Sequence, residues 1–234
     1  MIKLVDLLLE FPMKIDNINT IPELMKSVLS MPTLNSKEMI SATSKINEEG
    51  IYFWYLTPEG AKRWEEVLSL VSGKPQTVDY CQTNKEGNYL VYVGVAGSSA
   101  KEGKPTGLKS RFIHHIGKGN PKSSTMRKKI FQTLFPDVDI EDDFIMKSKN
   151  IKDGGGQYYT QYRGEYDKFI DENFRFNYIK ASDLSLDKGM TIKAAIEKIE
   201  MSFIHSCVLH LNYKGVPNDF KPYTSDRKLD PNKK

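Results

Sequence analysis

Strand-forming sequence is scarce in this chain, and each piece of it is boxed in by helix signals. Gly50-Ile51-Tyr52-Phe53-Trp54-Tyr55-Leu56 is a run of branched and aromatic residues of the kind that fits a pleated, buried strand. Tyr89-Leu90-Val91-Tyr92-Val93 is a second run and leads into Gly94. Phe174-Arg175-Phe176-Asn177-Tyr178-Ile179 alternates cleanly and reads as a third. Val78 to Cys81 reads as a further short strand. The first two runs, each with a tyrosine near one end, are joined by a helical insertion rather than a tight turn. Thr57-Pro58-Glu59 starts that helix, Trp64, Val67, Leu68 and Val71 give it a buried face, and Gly73-Lys74-Pro75 ends it. Lys85-Glu86-Gly87-Asn88 is then a turn.

Helix signals fill the rest. Residues 2–46 read as three short helices. Leu4, Val5, Leu8, Leu9 and Phe11 give the first its stripe, Thr20 with Pro22 and Glu23 opens the second, and Asn35 with Glu38 forms a capping box for the third. These helices are either a layer packed on the main core or an arm for dimerisation or DNA clasping. Gly107 to Ile116 reads as an amphipathic helix. Ser123 to Leu134 reads as another, with Met126, Ile130, Phe131 and Leu134 inward and Arg127, Lys128 and Lys129 outward. From Met146 to Tyr166 lysines interleave with Tyr158, Tyr159, Tyr162, Arg163 and Tyr166 around three glycines. That pattern suits either a DNA-contacting loop or a tyrosine-rich strand pair. A long helix spans Thr191 to Leu211, and Glu200 lies in its apolar side, four residues from both Ile196 and Ile204. A carboxylate there either forms an ion pair or holds a cation.

Charge is unevenly distributed. Between Lys101 and Leu134 there are nine Lys or Arg against one acid, a net of +8 in a chain of net +4. Such a concentration is either a solvated lysine-rich face or the footprint of a surface that meets a polyanion. A chain of 234 residues with 39% hydrophobic and 27% charged content is globular and builds one large domain or a domain with an appendage. The boundaries fall at a helical extension over 1–46, a main domain over 47–220 with insertions at 57–87 and 135–172, and a basic tail over 221–234. Two cysteines make no disulfide framework, which implies a reducing cytoplasm. The amino terminus carries Asp6 and Glu10 within its apolar run, which is wrong for a signal peptide. No run is long enough to span a membrane.

Gly50-Ile51-Tyr52 and Tyr92-Val93-Gly94 resemble the two halves of the GIY-YIG nuclease signature, with valine for the second isoleucine. Downstream, Gly107-Leu108-Lys109-Ser110-Arg111, with Phe112 and His115, is similar to the family's helix in which an arginine faces the active site. Arginine and histidine four apart share one helix face, and this Arg-x-x-x-His spacing resembles the restriction-enzyme branch. Ile199-Glu200-Met201-Ser202-Phe203-Ile204 matches the stretch around the family's metal-binding glutamate. Pro217-Asn218 resembles the end of the family motif with one residue missing, so Asn212 and Asn218 compete for the supporting asparagine. Gly50 and Gly94 are supporting positions as well.

The resemblance implies an α/β (α+β) fold, a small mixed or antiparallel three-stranded sheet flanked by helices, with a helical amino-terminal layer and insertions. It implies a phosphodiesterase site in which Tyr52 is general base or orients the water and Tyr92 meets it. Arg111 faces the non-bridging oxygens, His115 shares proton transfer, and Glu200 holds Mg²⁺ or Mn²⁺. Lys109, His114, Lys118, Arg127, Lys128, Lys129, Tyr162 and Arg163 are the expected contacts to double-stranded DNA. Site-specific cleavage of both strands from one site per chain makes a homodimer the natural arrangement. A repair or mobile-element nuclease, and a non-catalytic DNA-binding module on the same fold, are the competing expectations.

Overall fold

The computed structural model describes residues 21–80, 83–97, 107–116, 125–136, 157–184, 191–206, 209 and 211–212. The helix expected over the first dozen residues lies outside them. In chain order the elements are α1 (Ile21–Ser30), α2 (Ser36–Thr43), β1 (Gly50–Leu56), α3 (Pro58–Ser72), β2 (Tyr89–Ala96), α4 (Leu108–His115), α5 (Thr125–Leu134), α6 (Gln157–Asn173), β3 (Phe174–Lys180) and α7 (Ile192–Ser206). The three strands form one antiparallel sheet in the order β2-β1-β3.

All seven residues of β1 are buried, because the central strand is covered on both faces. This explains its unbroken apolar run, since a strand buried on both sides has no reason to alternate. Tyr52, Trp54 and Leu56 enter one core with residues of α3, α4, α5 and α6. Ile51, Phe53 and Tyr55 enter a second with Leu24 and Val28 of α1 and Ile196, Ile199 and Phe203 of α7. The sheet is therefore a thin wall between two helical layers.

Local signals place the elements around it. Asn35 Oδ1 accepts from the backbone of Lys37 and Glu38 at 3.0 Å, and Glu38 returns a bond to the Asn35 N–H at 2.9 Å, so α2 begins with a closed capping box. Thr57 Oγ1 accepts from Gly60 at 2.9 Å, and Gly73 ends α3 at φ 65°, where a left-handed backbone favours glycine. Leu34, just ahead of α2, exchanges two backbone hydrogen bonds with Phe176 of β3, at 2.7 and 2.8 Å. Asn177 of the same strand donates to the Val28 carbonyl. Residues 21–43 are thus part of the packed body, the first of the two roles open to them.

Four details differ from the sequence reading. Residues 78–80 form no strand: Glu65 Oε1 accepts from the Val78 N–H at 2.7 Å, and Tyr80 stacks on Tyr89 at 4.6 Å. The stretch ending at Tyr166 is neither loop nor strand pair from Gln157 onward. It is α6, in which Tyr162 and Tyr166, four residues apart, share one helix face. Residues 146–156 lie outside the described ones. The helix expected to reach Leu211 is described over Ile192–Ser206, and Leu209 and Leu211 are not helical. Arg127 points inward: it is fully buried, with its guanidinium carbon 5.2 Å from the Tyr166 ring centroid. None of the described helices is long and apolar enough to cross a membrane.

Gly50 starts β1 where a side chain has no room, since a Cβ there would collide with the Ile179 carbonyl and with Leu108. Gly50→Ala must push apart the strand β3 and helix α4. It is expected to destabilise the fold by about 1–3 kcal/mol, measurable as a lower urea midpoint with the slope unchanged.

Candidate active site

The sheet brings two phenols together in mid-strand rather than at strand ends. Tyr52 of β1 lies opposite Gly94 of β2, and Tyr92 lies opposite Trp54. The register then slips, with Tyr55 facing Leu90, so that Val91 is an extra residue. Bulges of this kind re-aim side chains beside active sites. Here Val91 and Tyr92 both pack toward the core that holds Tyr52 and Trp54. The tyrosine rings end 6.0 Å apart. Gly94 makes this possible: a Cβ on it would sit 2.5 Å from Tyr52 Oη and 2.8 Å from Tyr92 Cε1.

Helix α4 lays its working face over these rings. Leu108 and Phe112 are fully buried and fix the helix on the sheet, with Phe112 edge-on to Tyr52 at 5.2 Å. The face one turn apart then carries Arg111, half-buried, and His115, which is 3% exposed. His115 Nε2 lies 2.8 Å from Tyr52 Oη. The hydroxyl is further hydrogen-bonded to Tyr92 and Arg111. A guanidinium can only donate, so Tyr52 Oη accepts from Arg111 and, with Tyr92 as second donor, gives its own proton to His115 Nε2. That assigns the imidazole proton to Nδ1.

Electrostatics adds a fifth member. Burial raises the Tyr52 pKa, the Arg111 charge and the two donated hydrogen bonds pull it back, and the Glu200 charge raises it again. Burial pushes Tyr92 well above the usual phenol value, and Tyr52 and Glu200 add to that. Desolvation works against the Arg111 charge, but the two phenols and Glu200 outweigh it and hold the guanidinium more firmly protonated. Glu200, half-buried, comes from α7, which packs on the opposite face of the sheet against β1 and β2. From there its charge acts on Tyr52, Tyr92 and Arg111.

The outer edge of β2 is covered beside Tyr92. Asn212 Oδ1 accepts from the Val93 N–H at 2.9 Å and its Nδ2 donates to the Val93 carbonyl at 2.7 Å. The Leu211 N–H donates to Val91 O at 3.0 Å. Of the two asparagines in competition, Asn212 is thus docked on the strand that carries Tyr92, while Asn218 lies outside the described residues. Among the described residues no three His, Cys, Asp or Glu side chains cluster. A lone carboxylate beside polar groups suits a hard, hydrated cation such as Mg²⁺, which takes one or two carboxylates and keeps its waters.

The wider set of expected DNA contacts is mixed. Lys109, Lys128 and Lys129 are half-buried, and burial lowers the Lys129 pKa to about 8. Arg127 is enclosed, as described, and does not face solvent. Tyr162 is half-buried against Phe135 at 4.6 Å, so its ring is spent on packing. Lys118 and the side chains of His114 and Arg163 lie outside the described residues. Trp54 and Phe112 were not singled out as site residues in the sequence; the signal for Trp54 was its position two beyond Tyr52, on the same strand face.

Residues 50–229 match the family model described as the GIY-YIG catalytic domain. No curated protein and no solved structure matches the chain.

Two outcomes follow from the site's construction. Asn212→Ala leaves the buried Val93 N–H and carbonyl without partners, at a cost of about 1–3 kcal/mol. Faster hydrogen exchange at the Val93 amide, with a lowered urea midpoint, is the expected signature. Raised phenol pKa values mean the folded chain keeps protons on Tyr52 and Tyr92 that the unfolded chain releases near pH 10, the ordinary phenol value of about 10. Their contribution to stability is therefore present below about pH 10 and falls as pH rises beyond it. An ultraviolet difference titration should show these two phenols ionising after the exposed tyrosines, and together with unfolding.

Proposed function

The chain belongs to the GIY-YIG family, and on that premise we propose that it is a Mg²⁺-dependent endonuclease that cuts double-stranded DNA at selected sites. What supports this reading is the meeting of Tyr52, Tyr92, Arg111 and His115, drawn from three elements, around one phenolic oxygen, with the Glu200 charge on α7 near enough to act on Tyr52, Tyr92 and Arg111.

Hydrolysis of a phosphodiester needs an activated water and stabilisation of charge on the phosphoryl oxygens. Arg111 offers a permanently charged fork for the non-bridging oxygens. As Arg111 turns from Tyr52 to the phosphate, it frees a lone pair on Tyr52 Oη and a place for water beside it; as that water attacks phosphorus, Tyr52 Oη takes its proton and passes its own to His115 Nε2, 2.8 Å away. The proton count closes on the imidazole, a group whose ordinary titration range is close to neutrality. Tyr92 holds the Tyr52 oxygen in line by donating to it. Glu200 is the residue to hold Mg²⁺, or Mn²⁺ in its place, and a divalent cation there would stabilise charge on the leaving 3′ oxygen.

A restriction-type role is favoured over repair by the Arg111-x-x-x-His115 spacing and by the two insertions, 57–87 and 135–172, on a small catalytic core. Recognition residues on such insertions, and a homodimer that presents one site to each strand, complete the proposal.

Digestion of a sequenced plasmid should give discrete fragments that vanish with EDTA. Arg111→Ala should slow cutting by about 100-fold or more, and Glu200→Ala and Tyr52→Phe should abolish the fragments. A smear indifferent to all three substitutions overturns the reading. Salt-dependent binding without cutting would mark a binding module, and preference for branched duplexes a structure-selective nuclease.

A further inference from the structure

Two residues beyond Tyr52, Trp54 projects from the same face of β1 and takes no part in the proton transfer just described. It is fully buried, yet among the described residues its Nε1–H has no hydrogen-bond partner. Phenylalanine would fill much of that space without stranding a donor, and a buried donor left unpaired is costly. Two of its neighbours are ordinary aromatic packing: Phe174 and Phe176 stand edge-on at 5.4 and 4.5 Å. The third is His115, at 6.2 Å and 83°. The same imidazole lies 5.3 Å from the Tyr52 ring.

We infer that Trp54 is a positioning residue for His115, which holds the imidazole against the Tyr52 hydroxyl and stabilises the imidazolium formed when the Tyr52 proton arrives. The inference rests on the proposed role of His115 as proton acceptor. Among side chains, indole is the strongest π partner for a cation, effective to about 6 Å from the ring centre. The surroundings give that property a use. Tyr52 from β1 and Tyr92 from β2 are neutral, Arg111 one turn earlier on α4 opposes a second cation, and the Glu200 charge on α7 is shared with Arg111 and both phenols. An electron-rich neutral ring favours the imidazolium without adding a negative charge that would repel the incoming phosphate.

The chain has two tryptophans, so Trp64→Phe leaves Trp54 as the single indole. A protonated imidazole beside an indole quenches its emission. In the Trp64→Phe protein, emission should therefore fall as pH drops through the histidine range of about 8 to 5. Adding His115→Gln should remove that fall. Flat emission in folded Trp64→Phe, or a fall that survives His115→Gln, overturns the inference. Trp54→Phe and Trp54→Leu supply a second measurement. Each should move the His115 ring titration, followed by NMR, to lower pH and reduce kcat by about 10-fold with KM unchanged. Unchanged titration and kcat in both variants also overturn it. Emission and NMR need no DNA, so the pair is testable in a chain that cuts nothing. Conversely, flat emission in a Trp64→Phe protein that still cuts plasmid rejects the role of Trp54 and leaves the nuclease reading standing.

Discussion

A phenolic hydroxyl that solvent does not reach in the substrate-free fold must there have all its hydrogen bonds supplied by the protein. Tyr52 sits in that position at the centre of the sheet, and the surrounding architecture answers its needs one group at a time. α4 contributes His115 as acceptor and Arg111 as donor, β2 contributes Tyr92 as donor, and Gly94 contributes the empty volume that lets the rings approach. Remove any one and the cost falls on a buried oxygen left short of a partner. In the proposed reaction stability and chemistry are therefore coupled through a single atom, since the contacts that satisfy the hydroxyl are the ones that would ready it to exchange a proton.

The same economy governs β2. An edge strand exposes unpaired backbone groups and invites stray pairing. In this molecule the vulnerable edge is closed by the side chain of Asn212, which imitates a neighbouring strand by both accepting from and donating to Val93. That closure lies next to the bulge at Val91 and so fixes the segment whose register sets where Tyr92 points. α7, which precedes Asn212 in the chain, also carries Glu200. Both outer strands of the sheet are thus held by segments from elsewhere, β2 by Leu211 and Asn212 and β3 by Leu34.

Much of this was legible in the sequence where the cause is local. The strand at Gly50–Leu56, the capping box at Asn35 and Glu38, and the left-handed end of α3 at Gly73 each depend on residues within a few positions of one another. The family signature made the tyrosine, arginine, histidine and glutamate stand out because their types and spacings are chemically constrained. What sequence hid was decided by partners far away. Arg127 read as a surface cation because nothing near it announces Tyr166, on a helix that was itself mistaken for a loop or strands. The bulge at Val91 exists only relative to β1, and the choice between Asn212 and Asn218 turns on which one meets a distant strand edge.

The proposed set is divided between the two sides of a thin sheet, with four members on the α4 side and Glu200 carried by α7 on the other. A ribosome making this chain delivers both tyrosines, the arginine and the histidine long before it delivers α7. Until that last helix docks, the nascent polypeptide lacks its carboxylate and the clamp on β2 together. By topology alone, the proposed site is completed only when α7, far along the chain, is in place.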